Sequence, residues 1–183
     1  MRRYVWIIAA FIWGVAEGTL FFIVPDVLLS FIGLRRGARA SLAASLSAAL
    51  GASIGGVMLY LWSSAQPAAA RDAVLAVPAI SDAMAAKAQA AILAHGWFIA
   101  ALQGPLTSTP YKVYAVLAPH AIALAPFAIT SVLVRLPRFL AVSLLSALGG
   151  HLLKSRIPLR WLTWTLGVYW VLFYAMFWTI TPG

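Results

Sequence analysis

Five ionisable residues stand inside apolar sequence: Glu17, Asp26, Lys112, Arg135 and Arg138. Left unpaired at the centre of a membrane helix, each would cost about 2.5–3.5 kcal/mol. Such groups must therefore be paired or hydrated. Arg135 and Arg138 lie three apart, on one face of a helix, and their natural partners are Glu17 and Asp26, with Lys112 alongside. Two acids against three bases leave a positive surplus, which suits a phosphate or a carboxylate ligand. A carboxyl group raised in pKa by burial could also carry a proton, a role open to Glu17 or Asp26. Buried pairs can equally act as inter-helix clamps without further chemistry.

The surroundings of these residues are membrane-like. Of 183 residues, 63% are hydrophobic and 9% are charged, against roughly 25% charged in an ordinary soluble domain. The net charge of +9 has no aromatic-and-basic face to go with it, so topology explains it better than nucleic acid does. There is no cysteine, which excludes disulfides and thiol chemistry. The three histidines, His95, His120 and His151, are isolated, so no metal site and no cofactor are expected. The N-terminus has a charged start and an apolar run but no small-x-small cleavage site, so it is expected to stay in place.

Two segments are broken in the same way. Residues 4–34 hold Glu17 and then Pro25 next to Asp26; the piece after the proline would span only about 13 Å, well short of a ~30 Å hydrocarbon core. Residues 97–123 hold a polar, proline-containing tip, "GPLTSTPYK", between two short apolar arms. Pro25 and Pro110 break the helices, and each segment reads as a re-entrant hairpin. Irregular backbone at membrane depth must be buried in protein or line a cavity, so the two tips are expected to share one. Thr107, Ser108 and Thr109 would offer hydroxyls there, and Lys112 a point charge for an anion.

Residues 40–62 form the cleanest crossing, with Gly51 and Gly55 among small residues that let another helix approach closely. Residues 63–96 read as an interfacial or extramembrane helical link. Residues 124–153 and 161–181 complete the crossings, the last with Trp161, Trp164, Trp170 and Trp178 as membrane anchors. The expected fold is thus an all-α integral membrane protein, one domain over 1–183: two opposed re-entrant helical hairpins, about three transmembrane helices and an interfacial linker helix. With the N-terminus in the cytoplasm, Arg2, Arg3, Arg35, Arg36, Arg39, Lys154, Arg156 and Arg160 fall inside, and only Arg71 and Lys87 outside, which is the positive-inside bias. "GASIG" at 51–55 fits the hydrolase G-x-S-x-G pattern, but Ser53 lies mid-helix without the strand that motif needs. Helix packing is the better account, and no enzyme activity is expected.

"AEGTLFFIVPDVLLSFIG" (16–33), "TSTPYKVYAVLA" (107–118) and "VRLPRFL" (134–140) together resemble the DedA/VTT membrane family (SNARE-associated Golgi proteins), closest to its short YqaA-like branch. The resemblance covers roughly residues 10–153. It matches Glu17 and Pro25–Asp26 in the first hairpin, Pro110 and Lys112 in the second, and the basic pair Arg135 and Arg138 on the next helix. Lys112 stands where longer members carry arginine, and Pro119 where a glycine is usual. The resemblance implies an integral protein, in a bacterial inner membrane, that moves anionic lipid such as a phospholipid or polyprenyl phosphate between leaflets with proton coupling. Membrane lipids are then the partners and an anionic headgroup the substrate, with a homo-oligomer left open. Two other readings stay beside it: a proton-coupled transporter of a small ion or solute, and a non-transporting assembly protein.

Overall fold

The computed structural model describes residues 4–180, and every regular element in that range is helical. Helix α1 (Val5–Gly18) ends before a break at residues 19–25, and α2 (Asp26–Arg36) follows. A single residue, Gly37, turns the chain into α3 (Ala38–Ala65). Its φ of +79° lies in the left-handed region that favours glycine. Two shorter helices, α4 (Pro67–Leu75) and α5 (Asp82–His95), lead through Gly96, also at positive φ, to α6 (Trp97–Gln103). The second break spans 104–110 and precedes α7 (Tyr111–Leu117). The chain closes with α8 (Leu124–Leu153) and α9 (Leu159–Ile180).

α3 and α8 are, among the described residues, the two helices long and apolar enough to cross a membrane. They run antiparallel, and serines join them. Ser41 and Ser45 donate to the carbonyls of Ser143 and Phe139, both at 3.1 Å, and Ser53 donates to the Ala128 carbonyl at 2.7 Å. Hydroxyl-to-carbonyl bonds of this kind hold helices together where water does not compete. They also account for Ser53, which the hydrolase-like pattern singled out.

The opposite side of α3 receives α1. Gly51 and Gly55 face the carbonyls of Phe11 and Val15, while Gly14 and Gly18 face α3 in return. A Cβ at any of these positions would collide with backbone, so the two helices meet at main-chain distance. α3 thus has neighbours on two faces. Its remaining face, Leu42, Leu46, Leu50, Ile54, Met58 and Leu61, is exposed. That face is an apolar stripe at helical spacing with nothing among the described residues to cover it.

The segment 63–96, expected as an interfacial or extramembrane helical link, is helical and packs on its neighbours: α3 continues through Ala65, and α4 and α5 dock onto α7 and α6. Ala70, Val74, Val77, Ile80, Ala85, Ala88 and Ile92 are all buried in the same apolar cluster as Trp97 and Val113. An alanine-rich face with scattered branched residues fits closely against another helix, and that contact outweighs the weak amphipathicity seen in the sequence. The exposed Arg71–Asp82 ion pair (2.8 Å) links α4 to the start of α5.

The glycine contacts set a measurable expectation. Gly51→Ala and Gly55→Ala should each lower stability by about 1–3 kcal/mol through overpacking. Gly149→Ala on α8, where nothing lies within 4 Å, should raise it by about 0.5–1 kcal/mol. Thermal unfolding of purified protein in detergent reads all three, and equal behaviour would rule out main-chain contact between α1 and α3.

Candidate functional site

The two breaks meet. Residues from the first (Phe22, Val24) and the second (Pro105, Thr109, Pro110) line one cavity of about 710 Å³. Lys112 opens off the second break and donates from Nζ to the Phe21 carbonyl at 2.8 Å. It thereby satisfies a backbone group that the interrupted helix leaves without a partner. The Trp13 indole does the same for the Ile23 carbonyl (3.0 Å), and the Val24 amide donates to the Tyr174 hydroxyl (3.0 Å). Side chains from α1, α7 and α9 therefore replace the helical hydrogen bonds missing between 19 and 25.

The four remaining charges form two pairs. Arg135 Nη2 donates to Glu17 Oε2, and both side chains are almost fully buried. The Arg135 guanidinium also lies over the rings of Phe139 (4.7 Å) and Tyr111 (5.1 Å), a cation–π arrangement that suits a desolvated site. The Tyr111 hydroxyl bonds Ser131 at 2.7 Å, which fixes that ring in turn. One turn along α8, Arg138 reaches Asp26 Oδ2 with Nε at 2.8 Å and Nη2 at 2.6 Å. The pairs differ in exposure. The Arg138 side chain is 36% exposed, against 5% for Arg135. Both pairs also leave capacity unused: Asp26 Oδ1 and Arg135 Nε are buried without a hydrogen-bond partner.

Glu17, Asp26, Lys112, Arg135 and Arg138 all line this cavity, as do Ser108, Thr109 and Pro110. Thr107 does not; its hydroxyl bonds the Gly104 carbonyl and Thr109 Oγ1, both at 3.2 Å, within the turn itself. Ser108 holds that turn at φ +57° and is exposed. Pro25 is buried at the start of α2, and Gly51 and Gly55 serve the α1–α3 contact away from the cavity. His95, His120 and His151 are exposed and none of them lines it.

Sequence reasoning did not place the aromatic wall. Tyr169, Trp170, Phe173 and Tyr174 of α9 line the cavity. Trp170 turns inward and donates from its indole to Ser30 at 2.9 Å; it is not a surface anchor. Trp161 and Trp164 are exposed, and the Trp178 side chain lies outside the described part of the structure. Spacing of i, i+3/i+4 among 170, 173, 174 and 177 marks a common face, but nothing in the sequence says which surface that face meets. No protein-family model, curated protein or solved structure matches the chain.

The unequal exposure of the two arginines orders the effects of neutralising their partners. Glu17→Gln strands a buried Arg135 and should cost about 3–5 kcal/mol. Asp26→Asn strands Arg138, whose side chain is already 36% exposed, and should cost clearly less. A double-mutant cycle on Glu17 and Arg135, read by thermal unfolding, should show coupling at the upper end of about 0.5–3 kcal/mol.

Proposed function

We propose that the chain is an integral membrane protein of the DedA/VTT kind, whose two broken units are re-entrant hairpins, and that it moves an anionic lipid between leaflets. Two long apolar helices and the uncovered leucine stripe of α3 support the membrane setting. The stripe would face acyl chains, where it needs no protein cover. The basic segments 35–39 and 154–160 come to one end of the molecule, since Arg35, Arg36 and Lys154 line a common groove. That arrangement agrees with an even number of crossings between them and with a cytoplasmic location in a bacterial inner membrane. Arg2 and Arg3, which the charge bias also uses, lie outside the described residues.

The observation that carries the reading is the state of Arg138. It is paired to one oxygen of Asp26, yet a third of its side chain is exposed and it lines a cavity built from both breaks. An incoming phosphate can share this guanidinium without prior unfolding of the site, because Arg retains free donors in its planar fork. Lys112 adds a second cation, so the cavity has a formal surplus of one positive charge over Glu17 and Asp26. Releasing Asp26 from Arg138 as phosphate binds would free its carboxylate to carry a proton. Arg135 and Glu17, almost fully buried at the cavity wall, hold α8 against α1 while this happens. The hairpins shorten the apolar path a headgroup must cross.

Fluorescent phospholipid in proteoliposomes, bleached by an impermeant reductant, tests the proposal. Arg138→Ala and Asp26→Asn should slow translocation about tenfold or more, the loss of a charge-assisted contact. Lys87→Ala, exposed on α5, should leave it unchanged. Unaltered translocation in Arg138→Ala would remove the assignment, and solute uptake without lipid movement would favour a proton-coupled solute transporter. The closed Arg135–Glu17 pair also fits a purely structural clamp. In that case the swap Glu17→Arg with Arg135→Glu restores full activity in cells.

A further inference from the structure

A second cavity, of about 580 Å³, lies at the other end of α2 from the paired charges. Nine residues separate Asp26 from Arg35, about 14 Å along the helix. The groove is lined by Arg35 and Arg36 from the end of α2, by His151 and Lys154 from the end of α8, and by the apolar Leu148 and Leu159. Its walls come from segments more than a hundred residues apart. Close helix contact brings them together: Gly33 faces the Ser143 carbonyl, and Gly150 faces Leu34. No acidic residue lines the groove, and none of its cations takes part in an ion pair among the described residues. Arg36 is held over the Trp6 ring at 5.8 Å, which orders one of the cations in advance.

Three permanent positive charges, with no counter-charge, repel one another until an anion joins them. The leucines beside them argue for an amphiphile over a free anion. A basic pocket between helix ends at a membrane surface is the setting in which phospholipid headgroups are held. We infer that this groove is a second, peripheral binding site for a phospholipid with an exposed phosphate monoester or other strongly anionic headgroup. The phosphate would sit between Arg35, Arg36 and Lys154, and the first acyl carbons on Leu148 and Leu159. The inference rests on the membrane reading above but not on lipid movement through the central cavity.

Native mass spectrometry of the full chain in neutral detergent, titrated with dioctanoyl phosphatidic acid, tests it. Each cation should contribute about fivefold to affinity, so Arg35→Gln/Arg36→Gln/Lys154→Gln should bind on the order of a hundredfold more weakly. Arg35→Lys/Arg36→Lys keeps the charge and should bind within about threefold of the parent, which separates lost charge from lost folding. Lys87→Ala, exposed on α5 and away from both cavities, should bind as the parent does. Equal binding by the triple variant overturns the inference. So does equal binding of dioctanoyl phosphatidylcholine, or displacement by inorganic phosphate at matched concentration. A loss in Arg138→Ala as large as in the triple variant would place the lipid in the central cavity and overturn it as well.

Discussion

A charge taken out of water must find its counter-charge inside the protein, and this requirement organises the molecule. Glu17 at the end of α1 and Asp26 at the start of α2 flank a break that has lost its own hydrogen bonds. Arg135 and Arg138, one turn apart on α8, receive them. The pairs are spaced so that a single helix face ties both sides of the break. An apolar substitute of the same volume could be as stable or more so. Charge is nonetheless retained here, beside a cavity that also holds Lys112. The two pairs differ in exposure: Arg135 is almost fully buried, whereas about a third of the Arg138 side chain is open.

That electrostatic frame needs α1, α3 and α8 to approach more closely than bulky side chains permit. Gly14, Gly18, Gly51 and Gly55 make the α1–α3 contact a meeting of backbones, and serine hydroxyls join α3 to α8. Neither device depends on expelling water between helices. Both rest on van der Waals contact and interhelical hydrogen bonds, the forces that remain where the surrounding medium is itself apolar. One stripe of larger residues on α3 is left turned outward.

The breaks at Pro25 and Pro110, the length of α8 and the isolated charges could all be read from residue type and spacing, because each is a local property. What depended on tertiary arrangement could not. The sequence offered two acids to three bases without saying that Lys112 would bond a carbonyl instead of a carboxylate. Segment 63–96 has the same alanine content whether it lies on a surface or packs on α7, and only the partner decides. Thr107 and Thr109 look alike in "TSTPYK", yet the turn at Ser108 directs only the second into the cavity. The aromatic face of α9 was visible as a pattern, but its covering role was not.

α9 is secured differently from the other long helices. It has no glycine-to-backbone contact and no buried ion pair with them among the described residues. It meets the body chiefly along α2; the Tyr174 hydroxyl accepts from the Val24 amide just before that helix, and the Trp170 indole donates to Ser30 on it. Two such bonds contribute only about 1–3 kcal/mol together. Taking α9 away would uncover one wall of the cavity while both ion pairs, which join α8 to α1 and α2, keep their partners.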